Sequence, residues 1–395
     1  MSERTKSPAD AAVGGEHRPN YATPPGANIA DALAERGMAQ GDLAARLDVH
    51  DSVLSDLIHG RRPITPETAR GLELVLGIPM AFWLRAEARY REHHARIEDA
   101  RRYSEWIDWA KGFPLREMMS LGWLPDIPAK DGVGRVKALL SFLQVASPQG
   151  WDGTYARLNI AYRKTKAFPA DPNHLGAWLC KGEALARACE AVDYEKAAFQ
   201  EALPEIRKWS ARTDTVPLAQ VQKRFADCGV RLVFVPCLAK SRAAGATRWL
   251  GPSAPVIQLS LRGKTDDLFW FTLFHEAAHV LKHSHKGVLV ALGDQEDERE
   301  IEADKWAADA LIPVMDWDRF VSEGKVTLDR IRSFAEKLQI APGIVVGRLQ
   351  KELRLGKGVG NSLKRPVSIP PGEEAAALLD PDQQAEQWTE VLGAY

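Results

Sequence analysis

Long apolar runs are missing from this 395-residue chain. No stretch approaches the roughly 18 residues that a membrane span needs, so no membrane partner is expected. Cysteine is scarce: Cys180, Cys189, Cys228 and Cys237 form no C-x-x-C pair. That spacing argues against a zinc knuckle and fits reduced thiols inside helices or strands better than a disulfide framework. Net charge is nearly absent too, at -1, so nucleic acid can be attracted only by a local patch. The first twenty residues lack the basic start and apolar core of a secretion signal, and a cytoplasmic location is expected.

A chain of this length is too long for one ordinary core. It reads as three blocks between two tails. Residues 1–25, rich in Pro, Gly and Ser, have the composition of a flexible tail. Residues 356–395 read the same way, with "DQQAEQWTEVLGAY" as a short amphipathic helix near the end. Residues 26–95 are a run of short helices. Residues 96–214 are helical and rich in tryptophan, with helix starts at Ser147-Pro148 and Asp171-Pro172, where a capping residue precedes a first-turn proline. Residues 215–355 open with "VRLVFVP", "GATRWLG" and "APVIQLSLR", β-branched and aromatic runs that read as strands of a small sheet, and continue as helices. The expected fold class is mainly α with a small β-sheet (α+β).

Four of the ten histidines fall in "FTLFHEAAHVLKHSH". On a helix, residues four apart share a face, so His275 and His279 can point imidazoles at one ion. Zinc accepts that arrangement, needs a third protein ligand, and keeps a fourth position for water. Glu276, beside the first ligand, is placed to take a proton from that water as the catalytic base.

Three candidates compete for the third ligand. His283 continues the same face, but three ligands one turn apart spread over about 11 Å, too far for a single ion. His285 stands at the spacing of H-E-x-x-H-x-x-G-x-x-H, but the helix-breaking glycine of that pattern is Lys282 here. The preferred candidate is Glu300 in "DEREIEADKWAADALIP": Asp304 lies four residues on and can orient a histidine ligand from behind. Glu298 and Glu302 lack such a partner. His283, His285 and Arg248 are candidate oxyanion or substrate contacts, and His283 also suits a helix C-terminus.

"FTLFHEAAHVLKH" followed by "EREIEADKWAADALIP" resembles the ImmA/IrrE metallo-endopeptidases over roughly Leu218 to Leu353. The resemblance implies Zn2+ held by His275, His279 and Glu300, Glu276 as base, and a gluzincin-like fold. It also implies a protein substrate, typically a DNA-binding repressor cut to release stress-response or mobile-element genes.

In the first block, Ala44, Leu47, Val49, Leu54 and Leu57 supply the apolar positions of a helix-turn-helix, with a tight turn at Asp48-Val49 and a second helix from Asp51 to His59. Over about Ala27 to Tyr90 this segment resembles HigA-like XRE regulators, a branch that includes antitoxins. Gln40, Ser52, Ser55, His59, Arg61 and Arg62 are the candidate DNA contacts. From Ala27 to Arg70, however, five arginines face seven acidic residues, an unpromising balance for phosphates, and protein binding or dimerisation through this domain is an alternative use. "FAEKLQIAPGIVVGRL" repeats the pattern weakly near the end and reads as a packing unit. The whole is expected to be a zinc endopeptidase joined to a DNA-binding module. The alternative is a transcriptional regulator or antitoxin whose peptidase-like domain senses or binds without cutting.

Overall fold

The computed structural model describes residues 23–154, 171–212, 215–260, 263, 265–283, 289–291 and 298–367. The readings made on residues 1–22 and 368–395, and on His285, lie outside these. The chain forms two compact units, Met1–Trp106 and Ile107–Tyr395. As expected, it is mainly α-helical with one small sheet.

The first unit holds α1 (Gly26–Arg36), α2 (Gln40–Arg46), α3 (Asp51–Ile58), α4 (Pro66–Leu76) and α5 (Met80–Glu105). Asp48 makes the turn after α2 with a left-handed φ of 52°, a conformation aspartate tolerates better than most residues. The Val49 N–H then bonds the Ala44 carbonyl at 3.0 Å, and His50 opens α3 by accepting from the Ser52 N–H. Leu43, Ala44, Leu54 and Leu57 are buried with Ile29, Leu72 and Trp83 in one core. Thr65 caps α4 ahead of Pro66.

In the second unit, short helices α6 (Ile107–Ala110), α7 (Leu115–Ser120) and α8 (Gly132–Leu143) precede α9 (Pro172–Ala188), α10 (Lys196–Lys208) and α11 (Leu218–Ala226). The expected starts are present: a helical stretch begins at Pro148, and Asp171 accepts from the N–H groups of Asn173 and His174 at the head of α9. The three expected strands follow as β1 (Arg231–Phe234), β2 (Gly245–Trp249) and β3 (Pro255–Leu259). Then come α12 (Asp266–Lys282), β4 (Leu289–Ala291), α13 (Glu298–Leu311), α14 (Val314–Ser322), α15 (Leu328–Leu338) and α16 (Pro342–Lys351). The sheet order is β1-β3-β2-β4, with β1 parallel to β3, and β2 antiparallel to both β3 and β4.

Every residue of β3 is buried, which requires cover on both sheet faces. Ile257 and Leu259 join Leu232 and Phe234 in a core with Trp270, Leu273 and Phe274 of α12. On the opposite face, Gln258 and Arg248 donate to the Trp178 and Leu179 carbonyls of α9 at 2.7 and 2.8 Å. Phe199, Leu203 and Ile206 of α10 belong to the same core as the sheet and α12. A line drawn at 214/215 therefore does not divide the packing, because α9 covers the back of the sheet and α10 packs into the core on its α12 side.

The region from Gly356 onward also departs from the tail reading as far as it is described. Leu363 and Val367 are in the core, and Thr265 bridges Pro366. Arg365 donates through Nε to Asp266 Oδ2 at 2.9 Å, and the Asp266 N–H donates to the Arg365 carbonyl at 2.8 Å. Asp266 is wholly buried at the start of α12, where an acidic group also suits the positive end of the helix. Gly343 of α16 lies against it: an added Cβ there would stand 2.5 Å from Asp266 Oδ1. The weak terminal repeat is real geometry. Gln339 takes the same left-handed turn between α15 and α16, and the Ile340 N–H bonds the Ala335 carbonyl at 3.0 Å. Ile344, Val345, Val346 and Leu349 of α16 are buried in the core, so this pair serves as packing.

Removing one partner of a buried ion pair strands the other. Asp266→Ala is expected to lower the stability of the protein by about 3 kcal/mol, read as a fall in the urea midpoint; an unchanged midpoint would show that the clamp on α12 contributes nothing.

Candidate metal centre

Residues His275 and His279 sit on α12, which is buried on nearly all sides, while Glu300 comes from the first turn of the neighbouring α13. Four-residue spacing aligns the two imidazoles, and the return of the chain brings the carboxylate across them. His275 Nε2 lies 3.1 Å from His279 Nε2 and 3.1 Å from Glu300 Oε2, and His279 Nε2 lies 3.4 Å from Glu300 Oε1. Atoms bound at about 2.0–2.1 Å to one tetrahedral ion stand about 3.3 Å apart, so the three side chains are spaced as ligands.

The outer nitrogens make the case stronger. His275 Nδ1 is 2.9 Å from Asp304 Oδ1, and His279 Nδ1 is 2.7 Å from His283 Nδ1. When both histidines donate outward through Nδ1, both Nε2 atoms turn lone pairs inward beside a carboxylate. Three acceptors at such distances repel unless a cation lies between them.

The electrostatics agree. Burial opposes a charge on His275, but its hydrogen bonds to Asp304 and Glu300 prevail and hold it up to about 10. Burial would raise Glu300, yet hydrogen bonds from His275 and His279 bring it down to about 2. In the absence of an ion, a proton on His275 supplies the positive charge that the site demands.

Glu276 points from the same helix to the sheet. It is wholly buried, and burial pushes it up to about 7 against the pull of His275 and the Thr247 hydroxyl. Thr247 of β2 donates to Glu276 Oε2 at 2.7 Å, whereas Oε1 has no partner among the described residues. Gly245 leaves the space: a Cβ there would stand 2.4 Å from Oε1. A buried carboxylate oxygen without a partner is costly, and a water molecule is the natural occupant. Sequence reasoning missed Thr247 and Gly245, whose part depends on strand β2 passing next to α12.

The structure separates the other expected contacts from this cluster. Arg248 follows Thr247 on β2 and so faces the other side of the sheet. There it is buried, 3.1 Å from Glu183 Oε2 and bonded to the Leu179 carbonyl. Its candidacy as an oxyanion or substrate contact is corrected accordingly. His283 lies behind His279, on the side away from Glu300, and reaches Glu302.

In the first unit, Gln40, Ser52, His59, Arg61 and Arg62 are exposed and Ser55 is half-buried. Ser52 is tied to His50, Ser55 to His59, and Arg61 to Asp56 at 2.8 Å. Asp51 also stands exposed on α3, so the charge objection raised by the sequence persists on the surface.

Two histidines and a glutamate grouped round a common focus, with a second buried glutamate at hand, define a metallopeptidase-like centre carried by a chain that also holds a helix-turn-helix. The family comparisons agree with both halves: residues 29–83 match the helix-turn-helix family, and residues 229–350 match the IrrE N-terminal-like domain. The chain thus joins an N-terminal XRE-type helix-turn-helix to an ImmA/IrrE-like peptidase domain. No curated protein matches it.

Loading metal-free protein with a divalent ion at pH 8 is expected to release at least about one proton, since ligands bind in their deprotonated forms and His275 is held up to about 10. Affinity should accordingly rise with pH toward that value. Calorimetry in buffers of different ionisation enthalpy measures the release, and a buffer-independent heat would contradict the assignment.

Proposed function

We propose that the protein is a zinc-dependent endopeptidase that cuts a regulatory protein such as a DNA-binding repressor, and that its helix-turn-helix brings it to DNA or to a DNA-bound partner. The convergence of three inward-facing lone-pair donors supports this reading most directly. Nitrogen and carboxylate donors in a four-coordinate arrangement suit zinc, with His275, His279 and Glu300 holding the ion. When bound, zinc polarises the scissile carbonyl and acidifies a water molecule.

The remaining work falls to residues of the chain. Glu276 Oε1 takes the proton from the attacking water and later passes it to the leaving amine, a role suited to a group poised near neutrality. Thr247 fixes the other oxygen, so the carboxylate cannot rotate out of line. Asp304 holds the ring of His275 in one orientation and one tautomer. Seclusion of Glu276 from solvent keeps its proton exchange confined to the reacting water.

Glu276→Gln separates this reading from that of a regulator that binds without cutting. The variant should keep its zinc while cleavage falls about 10²- to 10⁴-fold. The check compares zinc content by mass spectrometry with new protein N-termini in cells expressing either form. Unchanged biological effects and identical N-termini would favour the binding-only regulator.

A further inference from the structure

His283 has no place around the metal focus, yet it is one of the more enclosed polar groups nearby: its side chain is 6% exposed, against 34% for adjoining Lys282. Complementing a helix end does not by itself require such enclosure. Its backbone closes α12, the N–H donating to the His279 carbonyl at 3.1 Å. Its ring turns back beside His279, with centroids 4.9 Å apart.

The positions of the protons follow from the contacts. His279 Nε2 faces His275 Nε2 and Glu300, so a bound ion takes the Nε2 lone pair and the proton resides on Nδ1. Only 2.7 Å separates that nitrogen from His283 Nδ1, so His283 must accept there. Its own proton then sits on Nε2, directed at Glu302 Oε2 3.3 Å away. The other oxygen of Glu302 is anchored by Lys282 Nζ at 2.7 Å. No donor is duplicated and no acceptor is left over along this line.

We infer that His283, backed by Glu302, is a positioning residue that fixes the tautomer and ring orientation of His279 for metal binding. This rests on the metal-site reading above. It gives the two ligand histidines unequal support: His275 leans directly on the Asp304 carboxylate, and His279 leans on a carboxylate through an intervening imidazole. The second arrangement also ties the end of α12 to α13, because Glu302 lies one residue beyond Ile301 from the ligand Glu300. Binding the ion and holding the two helices in register are thus one event.

Outer partners of metal ligands typically change affinity about 10- to 100-fold when removed. The test is the zinc dissociation constant of the full chain, by competition with a chromophoric chelator. The set comprises wild type, His283→Ala, His283→Asn and Glu302→Ala, alongside the melting temperature of each metal-free protein and the visible spectrum of each cobalt-loaded one. His283→Ala should bind about 10- to 100-fold more weakly and alter the cobalt spectrum. His283→Asn, whose amide oxygen can occupy the place of Nδ1, should stay nearer to wild type in both. Glu302→Ala, which touches no metal-facing atom, should weaken binding by a smaller factor. Wild-type affinity in His283→Ala would overturn the inference. So would an equal loss in His283→Asn, or, should the alanine variant not fold, wild-type affinity in Glu302→Ala. If the wild-type protein itself bound no zinc, the metal-site reading would fail first and this inference with it.

Discussion

Three acceptor atoms held at 3.1–3.4 Å from one another, two imidazole nitrogens and one carboxylate, form the constraint on which the rest of the molecule depends. With both imidazoles donating outward through Nδ1 they repel unless a proton or a cation lies among them, and the chain must spend packing energy to keep them together. That energy comes from the apolar residues of α12: Trp270, Leu273, Phe274 and Ala277 are buried against the sheet and the helices around it. A helix covered on nearly all sides cannot easily roll to separate its polar groups. A cation held there would relieve the repulsion and complete the fold at this point.

The surroundings of α12 show how that rigidity is obtained. At its start, Asp266 is clamped by Arg365 and approached closely by Gly343. Along its length, β2 presents Gly245 and Thr247, one making room for Glu276 and the other holding it. At its end, the His283 ring closes on His279. The back of the sheet is sealed by α9, whose carbonyls accept from Gln258 and Arg248. The helical middle of the chain is therefore partly a wall of the peptidase-like domain.

Much of this was legible in the sequence because helical periodicity is local. Four-residue spacing alone placed His275 beside His279, and the pairing of Glu300 with Asp304 selected the acid from its neighbours. The turn at Asp48-Val49 and the helix starts at Ser147-Pro148 and Asp171-Pro172 were equally local. What escaped depends on distant pairings. Thr247 and Gly245 matter only because β2 runs beside α12. Arg248 was misjudged because strand alternation, once Thr247 faces inward, sends it to the other face. The segment after Gly356 looked like a tail by composition, whereas Arg365 finds its partner 99 positions earlier.

The helix-turn-helix poses a separate question of charge, since its second helix carries exposed Asp51 and its Arg61 is occupied by Asp56. That surface does not bear on the central claim, which concerns a single ion. X-ray absorption at the zinc edge of purified wild-type protein tests that claim most directly. The expected result is one zinc per chain, with two imidazole nitrogens and further oxygen donors at about 2.0–2.2 Å; a spectrum showing no bound metal, or a shell containing sulfur, would contradict a site built from His275, His279 and Glu300.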